Sequence, residues 1–172
     1  MLTLRYVALI VLLVWIAADN LVVWRYKTGK SENRDRFSLL LIMLGGMATY
    51  VVVGIILVYS TLGSMHSMLL QVLGLVVMVI GIGVRVTAIA QLGRFHSPNV
   101  AIREDHQLMQ TGLYRYVRQP SYLGALIAFL GFSLALGNWL CLVVIMVITP
   151  CVYLYRIHEE EAALAEELAP EI

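Results

Sequence analysis

LGRFHSPNVAIREDHQLMQTGLYRYVRQPSY, residues 92–122, is a polar interruption in a chain that is apolar on both sides of it. It holds two of the four histidines and four of the twelve lysine and arginine residues, together with Pro98, Gly112, Pro120 and three tyrosines. Helix connections ordinarily need about 2 to 8 residues, so a polar segment this long does more than turn a corner. The fold follows from what it separates: three apolar runs before it and two after it.

The chain has 172 residues, of which 60% are hydrophobic and 13% charged. An ordinary soluble domain has about 45–50% apolar and about 25% charged residues, so the composition is that of a membrane protein. The net charge of +1 gives no electrostatic case for nucleic acid, and the charges lie in blocks whose positions carry the information. Cys141 and Cys151 fall in one apolar segment; ten residues of helix separate them by roughly 15 Å, too far for a disulfide. They read as small core residues, which leaves the redox compartment open. The first apolar run, to Trp24, lacks a small-residue cleavage pattern and reads as a retained span rather than a signal peptide.

Residues 4–24 are long enough to cross about 30 Å of hydrocarbon. Asp19 and Asn20 near the end of this run read as interfacial, with a polar partner inside the bundle as the alternative. The loop that follows carries Arg25, Lys27, Lys30, Arg34 and Arg36 against Glu32 and Asp35, which places it on the cytoplasmic side. Residues 37–59 form the second span, with Gly45, Gly46 and Gly54 as close-packing positions. The linker STLGSMHS, 60–67, has no lysine or arginine and suits the outer face, leaving His66 isolated.

Residues 68–90 form the third span, with Gly74, Gly81 and Gly83 for packing. Arg85 near its end is expected to snorkel to the cytoplasmic interface, a role in the site being the alternative. Gly81-Ile82-Gly83 is no dinucleotide loop, since Val86 occupies the third glycine position. After the polar stretch, 122–136 and 139–155 make a hairpin about Gly137-Asn138. Its first arm is short for a span, and Pro150 predicts a kink or break in its second. The tail, 156–172, resumes helical spacing on the cytoplasmic side. The fold class is therefore all-α: a polytopic membrane helical bundle of about five transmembrane helices, N-terminus outside, with a cytoplasmic loop and C-terminal helix.

Two polar elements converge on the cytoplasmic face. Arg156 and Glu160, four residues apart, project from one helix face, and a solvated helix end with ion pairs is the plainer reading of them alone. Pro120 suits the first turn of the fourth span, where outward N–H groups favour an anion. Tyr114, Tyr116 and Tyr122 can offer ring faces to a cation or heterocycle, or sit in an interfacial aromatic belt. His96 and His106 lack a histidine or cysteine partner at metal spacing, so no metal site is expected, and no G-x-S-x-G nucleophile motif occurs. Such a mouth, with lipid on its flank, suits a zwitterionic cofactor and a lipid-borne substrate.

At DHQLMQTGLYRYVRQPSYLG, 105–124, followed after the hairpin by RIHEEEAAL, 156–164, the sequence resembles the isoprenylcysteine carboxyl methyltransferase family and its relatives, the phospholipid N-methyltransferases among them. The resemblance runs roughly over 92–167. It implies an integral membrane methyltransferase that uses S-adenosylmethionine without a Rossmann domain, with three N-terminal spans in 1–90 and a methyltransferase core in 91–172. The family's cofactor contacts fall on His106, Gln107, Leu108, Met109, Tyr114, Gln119, Pro120, Ser121, Tyr122 and Glu160, with Asn99 a further contact. Arg156 matches the arginine that faces the methyl-accepting substrate and shares the catalytic role with Glu160.

Gln119 stands where the family usually has histidine; it can donate and accept hydrogen bonds but cannot become charged, so no titrating group is expected there. The sequence ends at Ile172, where relatives commonly continue with an aromatic and basic segment that helps cover the site; a shorter lid, or a truncated chain, would leave the cofactor more exposed. The implied reaction is carboxyl O-methylation of an isoprenylcysteine-like lipidic substrate, either a small molecule or a prenylated protein, reaching the site from among the membrane lipids through a gap beside spans one, two and four. Phospholipid amine N-methylation and a non-enzymatic scaffold or transporter are the alternatives. Compactness suggests a prokaryotic cytoplasmic membrane, with the site facing the cytoplasm. No nucleic-acid partner is expected, and the oligomeric state is not legible.

Overall fold

In a computed structural model of the protein, each of the five apolar runs is a helix: α1 Leu2–Tyr26, α2 Arg36–Tyr59, α3 Met68–Leu92, α4 Pro120–Ala135 and α5 Trp139–Leu168. A short 3-10 helix, Gly112–Arg115, precedes α4. The structure describes residues 2–26, 36–59, 62–65, 67–92, 112–117 and 119–168, with the backbone alone at 2, 20, 22–26, 36–43, 92 and 160–168. Among the described residues the β structure is one isolated bridge, Ser64 with Asn138. His66 and the predicted contacts Asn99, His106, Gln107, Leu108 and Met109 lie outside the described residues.

The bundle is organised about the α3–α4 pair, whose contact is the most extensive in the fold. The reason is a stripe of small residues on both helices. A Cβ added at Gly74 would lie 2.5 Å from the Ala135 amide nitrogen, and one at Gly124 2.6 Å from the Arg85 amide nitrogen. Gly81 and Gly131 meet the backbones of Ala128 and Met78 in the same way. Backbone thus touches backbone along the seam, the packing mode small residues permit in helices without a hydrophobic drive between them. Helix α2 lies along α5, with Gly45 opposite Val152, and α1 rests more lightly on α3 and α4. The core sits where these meet, around Leu12, Trp15, Met78, Phe132 and Ile145.

Leu13, Val58, Leu69, Val76, Val147 and Leu154 all face outward, Val58 at 75% exposure. An apolar exterior on this scale suits lipid rather than water. Two described segments, Met68–Gln91 and Trp139–Glu159, are long and apolar enough to cross a membrane; Leu44–Tyr59 and Pro120–Ala135 are apolar but shorter.

Three expectations change on contact with the fold. Arg85 does not snorkel and Asp19 is not merely interfacial, because the two pair with one another at 2.7 Å between α3 and α1. Helix α5 continues through Pro150 for 30 residues rather than breaking; one missing N–H is tolerated where packing on α2 and α4 holds the helix on both sides. Gly46, Gly54 and Gly83 have nothing within 4 Å of an added Cβ, so they are not packing positions.

The tight turn between α4 and α5 is tied to the 62–65 segment. Met65 N–H donates to the Gly137 carbonyl at 2.7 Å and Trp139 N–H to that of Gly63 at 2.9 Å. Asn138 caps α5: its Oδ1 accepts from the N–H groups of Leu140 at 2.9 Å and Cys141 at 3.3 Å, while its Nδ2 donates to Leu62 O at 3.0 Å. Gly137, at φ +63°, supplies the left-handed residue the turn requires.

Candidate functional site

The candidate site is built on the final two turns of α3. At steps of three residues, which place side chains along one face, Arg85, Ala88 and Gln91 each hold a part of it. Gln91 accepts the Leu113 N–H at 2.9 Å on its Oε1. The Tyr114 hydroxyl donates to the Ala88 carbonyl at 3.4 Å. Arg85 Nη1 reaches the carbonyl oxygen and Oγ of Ser121, both at 3.3 Å.

Tyr114 is therefore carried by a 3-10 turn docked on α3. The turn starts at Gly112, whose φ of +64° is strained for any residue with a Cβ, and an added Cβ, 2.5 Å from the Gln91 side chain, would also push that side chain off its bond to Leu113. The backbone closes with Tyr116 and Val117 N–H groups donating to Leu113 O at 3.1 Å. Tyr114 is half-buried, and that burial pushes its phenol above the usual tyrosine range. Tyr116, by contrast, is 81% exposed, with the Arg115 guanidinium 6.0 Å from its ring.

Gln119 is the N-cap of α4, with φ −126° and ψ 64°, and its side chain makes no capping bond. Its carbonyl accepts the Leu123 N–H at 3.1 Å. Pro120 fills the first helical position and is buried, as expected where an amide N–H would have no intrahelical partner. A helix start directs its first N–H groups and a partial positive charge outward, here beside the Gln119 side chain.

On the other side, Tyr122 packs on Tyr153 of α5, ring centroids 5.3 Å apart and tilted by 57°. An aromatic chain continues through Phe129, 6.5 Å from Tyr153, to Trp15, 5.2 Å further on. Arg156 follows Tyr153 by three residues and is 1% exposed, the largest side chain so completely buried among those described. A solvated helix-end arginine is thereby excluded. Glu160 lies one turn on, in the backbone of α5.

The structure thus brings together Ser121, Tyr122 and the α5 turn that leads to Arg156, and sets Tyr114 against Ala88, one turn along α3 from Arg85, which bonds Ser121. Four participants were not placed at the site by the sequence motifs. Gln91 and Tyr153 sit in apolar runs that give no hint of their neighbours, although a glutamine at the end of a span was a signal. Asp19 and Arg85, 66 residues apart, become partners only through folding. A groove of about 480 Å³ also lies between α1 and α3, walled by Val14, Trp15, Val79 and Ile82, with Asp19 as its one charged residue.

Fold and site together define an all-helical bundle with an apolar exterior and a polar, aromatic-lined end where α3, α4 and α5 meet. The model of the isoprenylcysteine carboxyl methyltransferase (ICMT) family matches residues 72–166, more than half of the chain. The protein belongs to that family. Among similar proteins, the protein-S-isoprenylcysteine O-methyltransferase of Schizosaccharomyces pombe is 38% identical over 82 residues, covering 46% of this chain and 35% of the relative. That of Saccharomyces cerevisiae is 34% identical over 110 residues, covering 63% of this chain and 46% of the relative. The chain spans less than half the length of each. The family match begins within α3, before Arg85, and ends within α5, after Glu160.

Proposed function

We propose that the protein is an integral membrane methyltransferase that uses S-adenosylmethionine to esterify the carboxylate of an isoprenylcysteine-like lipidic substrate. The observation that carries the reading is the complete burial of Arg156, one turn beyond an aromatic pair that closes on the start of α4. An arginine so buried is held in one orientation rather than swept through solvent, and its planar fork matches a carboxylate. The aromatic rings and the outward N–H groups at Gln119–Tyr122 fit a cofactor that carries both a cation and a carboxylate.

When bound, S-adenosylmethionine supplies an electrophilic methyl group on a positively charged sulfur. The residues of this chain have the remaining work. Tyr114, Gln119, Pro120, Ser121, Tyr122 and Glu160 hold the cofactor, with His106, Gln107, Leu108 and Met109 from the segment before Gly112. Arg156 binds the acceptor carboxylate and fixes its direction. Alignment of two reactants in this manner is worth about 7–11 kcal/mol, and exclusion of water from the carboxylate strengthens it as a nucleophile. A carboxylate has no proton to lose, so Gln119, which cannot titrate, serves without a general base beside it.

The same reading gives the bundle five spans, with the core, 91–172, opening to the cytoplasm. The apolar exterior supports it, as does the basic loop after α1 by the positive-inside rule. The lipid portion of a prenylated substrate then stays in the bilayer and approaches sideways.

Purified protein is incubated with labelled S-adenosylmethionine and either a prenylated cysteine or total membrane lipid. Label in a base-labile ester of the prenylated cysteine is the expected result. Label in a headgroup amine would instead make the protein a phospholipid N-methyltransferase, and no incorporation with either acceptor would overturn the enzymatic reading. Glu160→Ala weakens cofactor binding, measured calorimetrically in detergent, whereas Arg156→Ala mainly lowers turnover; unchanged affinity in the first variant contradicts the assignment of Glu160.

A further inference from the structure

An arginine within apolar helices is costly to place and calls for named partners. Arg85, two turns before the end of α3, has partners on two other helices. Its Nε and Nη2 lie 2.8 and 2.7 Å from Oδ2 of Asp19 on α1. Its Nη1 donates to Ser121 at the start of α4, and the Trp15 ring lies 5.9 Å from the guanidinium carbon. The two charged side chains are only 17% and 24% exposed.

A guanidinium presents its donors in one rigid plane, so an acid that grips one edge dictates where the other edge points. Here the gripped edge faces α1 and the remaining one faces the first turn of α4. The pair is not what holds α3 to α4, since the glycine seam does that along the length of both helices. Its separate effect falls on α4's first turn, where four of the candidate cofactor contacts lie.

We propose that Asp19 and Arg85 are positioning residues for methyl transfer: Asp19 orients the Arg85 guanidinium, and Arg85 in turn fixes Ser121 and the first turn of α4 in the geometry that receives the cofactor. This rests on the proposed cofactor role of 119–122. Neither residue touches the reacting atoms. Asp19 lies outside the segment that matches the family, on a helix whose remaining contacts with the bundle are light.

The test uses the full chain in detergent with Asp19→Asn, which removes the charge without changing shape, and Arg85→Lys, which keeps the charge and loses the fork. Two quantities are read: amide hydrogen exchange along α4, and affinity for S-adenosylmethionine. Exchange at 123–126 accelerates by about tenfold in each variant while 131–135, at the other end of the same helix, stays within about twofold of wild type. Cofactor affinity falls by about tenfold, the effect of about 1.4 kcal/mol on a binding constant.

Unchanged exchange at 123–126 in Asp19→Asn overturns the proposal, and so does equal acceleration at both ends of α4, the mark of general loosening. Should Asp19→Asn not accumulate, Asp19→Glu displaces the carboxylate by one methylene, and the same comparison of the two segments decides the matter. If wild type itself binds no S-adenosylmethionine, the proposed function fails while the exchange pattern still tests the positioning.

Discussion

Gly131→Ala probes the seam on which the site is mounted. A Cβ at this position would stand 2.6 Å from both the Gly74 carbonyl oxygen and the Met78 Cα, and closer still to the Met78 amide nitrogen. Non-bonded heavy atoms settle at about 3.5–4.0 Å, so α3 and α4 must part by about 1 Å or more. The obstructing atoms are backbone and cannot rotate away. Overpacking costs about 1–3 kcal/mol where side chains can adjust; a rigid seam puts the cost near the top, about 3 kcal/mol. Alanine recovers up to about 1 kcal/mol of helix propensity, leaving a net loss of about 2 kcal/mol. Gly83→Ala is the matched control, because its Cβ meets nothing within 4 Å and it takes the propensity gain alone. The two variants should therefore differ by about 3 kcal/mol, or about 6–12 °C in unfolding midpoint for a chain of this length. Thermal unfolding of both in one detergent, followed by circular dichroism, measures the difference. Midpoints within about 2 °C of each other would refute the backbone-contact account of the seam.

Asn138→Ala removes the cap of α5 and leaves the Leu62 carbonyl without its side-chain donor; a loss of about 2 kcal/mol is expected, seen as a lower unfolding midpoint with cofactor affinity unchanged. Gln91→Ala orphans the Leu113 N–H and frees the turn that carries Tyr114, so S-adenosylmethionine affinity should fall about five- to tenfold, while Gln91→Glu, which keeps an acceptor, stays near wild type by calorimetry. Tyr114 has its phenol raised above 10.0 by burial, which favours the protonated form in the folded state; its stabilisation is complete below pH 10 and is lost as pH climbs through the folded value. Unfolding midpoints of wild type should therefore decline more steeply above pH 10 than those of Tyr114→Phe, and parallel curves would contradict this.

Helix positions were legible because apolar length alone sets them: the expected spans 37–59 and 68–90 fall within Arg36–Tyr59 and Met68–Leu92. The start of α4 was equally plain from Pro120. Helix neighbours were another matter. Gly74, Gly81 and Gly83 look alike in sequence, yet two meet α4 and the third meets open space, because only rotation about the helix axis distinguishes them. A lone cation near a span end ordinarily snorkels, which is the expectation for Arg85; its partner lies 66 residues away on another helix, and pairing at that distance is a property of packing. Arg156 is legible through the motif, but its burial, at 1% exposure, depends on how α5 packs in the bundle, which periodicity does not encode.

The brevity of α4 has a physical consequence of its own. Its 16 residues reach about 24 Å at 1.5 Å each, about 6 Å short of a hydrocarbon layer about 30 Å thick. The far end is tied by the bonds that join Gly137 and Asn138 to 62–65; with that end at the outer surface, as the proposed five spans require, the shortfall would fall at Gln119. In a bilayer crossed as proposed, that end lies in a dimple below the headgroups, where a soluble nucleoside and a membrane-held carboxylate reach the same depth. On the proposed function, each reactant would then stay in the phase that dissolves it, and the protein would bring the phases to one point.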